Sequence, residues 1–176
     1  MTFVVGFGGT TRAGSSSERA LRAALEATGA ETELFAAADL DFPLYTPGVT
    51  LPDERVQRFL DSLRRADGII ISSPGYHGGV SGLVKNAIDW VEELRGDARP
   101  YFDGRPVGLI VVADGWQATI TTLTSLRSIV HALRGWPTPL GVAINAAERD
   151  ADPGPQLELL AAQVASGSRT APRPRT

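Results

Sequence analysis

The sequence contains no cysteine. That absence excludes disulfides, thiol nucleophiles, zinc–thiolate centres and iron–sulfur clusters together, so any redox chemistry must come from an organic cofactor. Histidine is nearly as scarce. The two present, His77 and His131, show no H-E-x-x-H spacing, and no metal is expected. His131 reads as a surface residue on a helix flank. No excess of one charge sign exists either: 17 Lys and Arg face 20 Asp and Glu, for a net charge of −3. That balance argues against a general nucleic-acid binder. No apolar run approaches the ~20 residues of a membrane span. The strand-like Thr2–Gly6 follows the first residue without a basic region or cleavage site, so a cytoplasmic location is expected. Lysine occurs once, as Lys85, against a background of arginine.

What is present is the make-up of an ordinary globular chain. At 176 residues, 43% apolar and 21% charged, it is long enough to bury a sizeable core. Strand-like runs fall near 2–8, 31–36, 67–73, 106–113 and 138–144, and amphipathic helical segments near 15–28, 53–65, 79–94, 118–134 and 154–165. Strands alternating with helices predict βαβ units and a parallel sheet. The third and fourth strands are apolar almost throughout, as expected where both faces are covered. The expected fold is a five-stranded, doubly wound α/β sheet of flavodoxin-like type, in order 2-1-3-4-5. Residues 1–166 are expected to form one domain, with 167–176 as a flexible tail.

The most informative stretch runs from Ser73 through Pro74-Gly75-Tyr76-His77 to Lys85-Asn86-Ala87-Ile88-Asp89-Trp90. It leaves the apolar run Ile69–Ile71, turns through proline and glycine, and enters a helix with the stripe Val80, Leu83, Val84, Ala87, Ile88 and Val91. It resembles the P-x-Y-N-x-x-x-P-G-x-L-K-N-x-x-D-W pattern of the flavodoxin-like NAD(P)H-dependent FMN reductases and quinone reductases. Pro74, Tyr76, Gly82, Lys85, Asn86, Asp89 and Trp90 match. His77 stands where asparagine is usual, and Ser81 where proline is usual. The resemblance implies a cytoplasmic, FMN-dependent oxidoreductase taking hydride from NAD(P)H, with Pro74, Gly75, Tyr76 and His77 beside the flavin. The flavin does the chemistry, so no catalytic side chain is implied.

A second loop, Gly8–Glu18, joins the first strand to the first helix. Small residues let it turn tightly, and a helix N-terminus offers free amides and the positive end of a dipole. Thr10, Thr11, Ser15, Ser16 and Ser17 can donate hydroxyls and Arg12 a charge, a set suited to one phosphomonoester such as that of FMN. Helix capping by Ser15 or Ser16 explains part of the same pattern and is compatible with it. Gly9 and Gly14 have the outer spacing of a nucleoside-triphosphate loop, but Ser15 stands where lysine must reach the phosphates. Gly6-Phe7-Gly8-Gly9-Thr10-Thr11 lacks the third glycine of a dinucleotide fingerprint.

After the fourth strand, Ala113-Asp114-Gly115-Trp116 should border the same crevice, placing Asp114, Gly115 and Trp116 at the flavin's rim. Only the glycine of the family's usual loop is kept here, and Trp116 reads equally as a stacking residue or a surface residue. Lys85 and Asp89 form an i, i+4 pair. The partner implied by the resemblance is a small-molecule acceptor: free flavin for a flavin-dependent monooxygenase, a quinone, or an azo or nitro compound. An electron carrier without nicotinamide turnover and a flavin-binding regulatory module are the other readings. A homodimer is expected through the helices after the third and fourth strands, where Trp90, Leu94 and Leu133 lie beyond the minimum core stripe. Such pairing would bring Tyr45 or Trp116 of one chain near the flavin of the other.

Overall fold

The computed structural model describes residues 1–48 and 53–170. The elements are β1 (Phe3–Gly8), α1 (Ser16–Ala27), β2 (Glu31–Ala36), α2 (Glu54–Arg65), β3 (Gly68–Tyr76), β4 (Gly79–Val80), α3 (Gly82–Trp90), β5 (Pro106–Ala113), α4 (Trp116–Ala132), β6 (Trp136–Pro137), β7 (Val142–Asn145) and α5 (Gly154–Thr170). The main sheet is parallel, with β1 between β2 and β3, and β5 between β3 and the β6 and β7 segments. With the β4 hairpin strand set aside, β5 counted fourth, and β6 and β7 taken as one interrupted fifth strand, the order is the expected 2-1-3-4-5.

Alternation along the strands divides the core. Val5, Phe7, Ile69, Ile71, Leu109 and Val111 face α2, α3 and α4, where Phe59 meets Phe7 edge-on at 5.2 Å between ring centres. Val4, Ile70, Ile110 and Val142 face α1 and α5 with Leu21, Leu25, Leu160 and Val164. A buried charge at the edge of this core is satisfied as well. The buried Arg105 guanidinium donates to the carbonyls of Arg64, Ala66 and Tyr101, closing the C-terminal end of α2. Burial pulls its pKa down to about 10, so it keeps its charge at neutral pH.

Four expectations need correction. The fifth strand, expected over 138–144, is split into β6 and β7. Pro137 and Pro139 have no N–H for a ladder, and Leu140 turns its amide to Gln163 Oε1 instead (2.9 Å). The helix expected from 79 starts at Gly82, because Gly79 and Val80 pair back on Tyr76 and Gly75 as a hairpin. Val91–Leu94 continue it as one 3-10 turn. The last helix runs to Thr170 rather than 165, into the segment expected to be a tail, while residues 171–176 lie outside the described residues. Trp90 and Leu94, taken as surplus apolar surface for a dimer, are 3% and 1% exposed, and Leu133 packs against the core. The segment 42–45 folds over α3 and covers Trp90.

That cover is built by the motif itself. Asn86 accepts from the Tyr45 amide (2.9 Å) and donates to the Phe42 and Pro43 carbonyls, while Trp90 Nε1 donates to Pro43 (2.9 Å). The Tyr45 ring then stacks edge-on against Trp90 at 5.3 Å. Burial and the nearby Glu93 carboxylate raise the Tyr45 pKa. Asn86 and Trp90, two of the residues carrying the resemblance, therefore staple a loop. Lys85 and Asp89 make the expected exposed ion pair at 2.6 Å.

Candidate functional site

Ligands of open α/β sheets sit beyond the carboxyl ends of the strands, where the order reverses. Here that point lies between β1 and β3, and the loops after β1, β3 and β5 meet above it. β1 pairs with β3 as far as Gly8 opposite Ser72, and β3 pairs with β5 as far as Pro74 opposite Val112.

The loop after β1 is held from below. The Gly9 amide donates to the Ser72 carbonyl (3.0 Å), and Ser72 Oγ donates to the Ser17 carbonyl (2.8 Å). Ser15 caps α1 by accepting from the Glu18 amide (3.3 Å) and lies 3.3 Å from Ser17 Oγ. The buried Glu18 carboxylate takes the Gly14 amide (2.8 Å) and is neutralised by Arg22 (3.0 Å). The loop is therefore closed on itself before any ligand arrives. Thr10 Oγ1 bonds the backbone of Arg12, but the exposed Arg12 guanidinium and Ser16 hydroxyl have no partner among the described residues.

The loop after β3 is a two-residue hairpin. His77 and Gly78 have φ of 52° and 76°, the left-handed pair that such a turn requires. Asparagine and histidine share tolerance of this conformation, which accounts for His77 at the family's asparagine position. Ser81 does two things that proline cannot. Its amide donates to Ser73 Oγ (3.1 Å), and its hydroxyl caps α3 on the Val84 amide (3.3 Å). Gly75 packs so closely on α4 that a Cβ there would lie 2.9 Å from Ala113 Cβ and 3.2 Å from Thr122 Oγ1, a buried hydroxyl without a partner among the described residues.

Together these segments line a cleft of about 660 Å³. Of the thirteen residues picked out in the sequence, it gathers Thr10, Thr11, Arg12, Ser15, Ser16, Ser17, Pro74, Gly75, Tyr76, His77 and Asp114. Gly115 and Trp116 line an adjoining recess of about 590 Å³, which shares His77, Asp114 and Ala118 with the cleft. Val112, Ala118 and Ala146 also line the cleft and carried no sequence signal. Asn145 and Glu148 went unnoticed too, although the Gly115 amide donates to Asn145 Oδ1 (2.8 Å) and Trp116 Nε1 to Glu148 Oε1 (2.7 Å). Tyr45 lies elsewhere, in a groove with Lys85, Ile129 and Leu133.

A larger hollow of about 810 Å³ opens at the opposite end of the sheet, around Met1, Phe3, Asp67 and Arg99. Several of its charges are engaged within the fold: Arg64 pairs with Asp97 at 2.9 Å, and Asp67 accepts the Phe3 backbone amide at 3.0 Å. Among the described residues no group of three or more potential metal ligands assembles, and no helix is long and apolar enough to cross a membrane.

A family described as NADPH-dependent FMN reductase matches residues 2–149. An FMN-dependent NADPH-azoreductase of Staphylococcus aureus is 33% identical over 118 residues, a match covering 64% of this chain and 59% of that protein's length. The flavoenzyme NAD(P)H:(acceptor) oxidoreductase FerB of Paracoccus denitrificans shares the fold with a TM-score of 0.78 at 19% identity, covering 97% of this chain and 99% of its own. A flavodoxin of Pseudomonas aeruginosa superposes with a TM-score of 0.61 at 16% identity, covering 96% of this chain and 99% of its own.

Proposed function

The chain belongs to the NADPH-dependent FMN reductase family, and on that premise we propose that it binds FMN in the cleft and uses NAD(P)H to reduce a small-molecule acceptor. The observation that carries this reading is the meeting of three loops: the hydroxyl-rich start of α1, the hairpin after β3 and the start of α4 line one continuous hollow.

The residues present fit the cofactor. The exposed Arg12 guanidinium, the Ser16 hydroxyl and the first-turn amides of α1 form a donor set for a phosphomonoester dianion. Glu18 would repel such a dianion, but its charge is already taken by Arg22 and the Gly14 amide. Pro74–His77 and Asp114–Trp116 supply a rim of backbone and aromatic surface for a planar ring. When bound, FMN supplies the ring that accepts hydride. The chain's part would be to hold that ring between Pro74–His77 and Asp114–Trp116 and to shape the space beside it. The adjoining recess gives a second molecule room next to the ring. A pure electron carrier has no need of that space, which favours the enzyme over the carrier.

An azo compound, a quinone or free flavin for a monooxygenase would each serve as acceptor. The reading extends to a cytoplasmic homodimer, now without the support of Trp90 and Leu94. Light scattering at micromolar concentration measures the mass directly. For the activity, NADPH and NADH oxidation is followed with and without added FMN, in the presence of a quinone or an azo dye. Flavin-dependent oxidation by either donor supports the reading, and none by either contradicts it.

A further inference from the structure

Glu148 belongs to no motif, yet the start of α4 is tied to it. Its Oε1 accepts from Trp116 Nε1 at 2.7 Å and from Asn145 Nδ2 at 3.1 Å. Asn145 in turn accepts the Gly115 amide at 2.8 Å and the Ala147 amide at 3.2 Å. Gly115 stands at the N-cap of α4 with φ of 103° and no side chain to cap the helix. The anchoring of this helix start therefore comes from the end of β7 and the loop that follows it.

Trp116 is 50% exposed, so burial does not fix its ring. An indole has a single hydrogen-bonding atom, and here Glu148 engages it. The ring lines the 590 Å³ recess, with His77, Gly78, Gln117 and Thr121 among the other walls. A molecule entering the recess meets the apolar surface of the indole, held in one orientation. Without the Glu148 contact the half-exposed ring is free to take other rotamers.

We propose that Glu148 is a positioning residue that holds Trp116 as a fixed aromatic wall of the acceptor recess, and that the recess consequently selects planar, π-rich acceptors over small inorganic ones. This rests on the reductase reading above.

The test compares menadione with ferricyanide as acceptors for the FMN-loaded protein. Glu148→Ala should lower the ratio of kcat/KM for menadione to that for ferricyanide roughly fivefold, chiefly through the KM for menadione. Glu148→Gln keeps a carbonyl acceptor and should restore the ratio. Trp116→Phe keeps a ring but loses the donor; it should give the same fall, and adding Glu148→Ala to it should change nothing further. A second readout needs no flavin. In a Trp136→Phe background Trp116 is the exposed indole, since Trp90 is 3% exposed. Glu148→Ala should then raise the acrylamide quenching constant roughly twofold, as expected for a ring released from a fixed contact. The proposal is overturned by an unchanged ratio, by a Gln variant that behaves like Ala, by additive effects of the two substitutions, or by unchanged quenching. A protein that bound no FMN would contradict the reductase reading, and the quenching would still decide whether Glu148 holds Trp116.

Discussion

A Cβ placed on Gly8 would lie 1.8 Å from the carbonyl oxygen of Ser72. Gly8 has φ of 142° and ends β1 where the chain leaves for the loop that starts the cleft. This contact sets how closely the first and third strands approach at the switch point. Gly8→Ala should cost roughly 3 kcal/mol or more, since backbone strain and overlap act together. Urea unfolding of the variant beside the parent measures it.

The phosphate role of the first loop separates FMN from riboflavin. Ser15 is a poor target because it also caps α1. Arg12→Ala combined with Ser16→Ala avoids that cap and should weaken FMN binding roughly tenfold or more, while riboflavin binding changes less than about twofold. Fluorescence titration with both flavins checks this, and equal losses would remove the phosphate assignment.

Asn86 is expected to matter for folding and not for flavin. Asn86→Ala removes the contacts to Tyr45, Phe42 and Pro43 and should cost about 2 kcal/mol of stability. The FMN dissociation constant should stay within about twofold, as measured at a temperature where the variant is fully folded.

Asp53 caps α2 on the amides of Arg55 and Val56, and the Arg55 guanidinium holds its pKa below the ordinary carboxylate value. A depressed folded pKa means that the stabilisation is present above the unfolded carboxylate pKa and is lost as the pH falls through the folded one. Asp53→Ala should cost about 1 kcal/mol at neutral pH. The gap between variant and parent should close as the pH is taken below the ordinary carboxylate range, as denaturant melts at several pH values would show.

The strands, the helices and most of the cleft were legible in the sequence because they depend on local signals, whereas the sheet order followed from the doubly wound arrangement that their alternation suits. Apolar runs mark the strands, and hydroxyls before a helix mark the first loop. Features that depend on distant partners were not legible. The hairpin at His77-Gly78 lacks the usual Asn-Gly signature, and its strand pairing and positive φ values reveal it. The sequence shows Trp90 as apolar but cannot show that residues 42–45 fold over it. Asn145 and Glu148 lie some thirty residues beyond the loop they anchor, with |i−j| of 30 and 32, and nothing in the sequence links them to it.

The central claim is that this cleft holds FMN within reach of a nicotinamide donor. The most direct test loads the protein with FMN, removes free flavin and oxygen, and mixes it with NADPH or NADH in a stopped-flow spectrophotometer. The visible flavin absorbance should bleach with at least one donor, at a rate that saturates with donor concentration. Flavin that dithionite bleaches but neither nicotinamide does would contradict it.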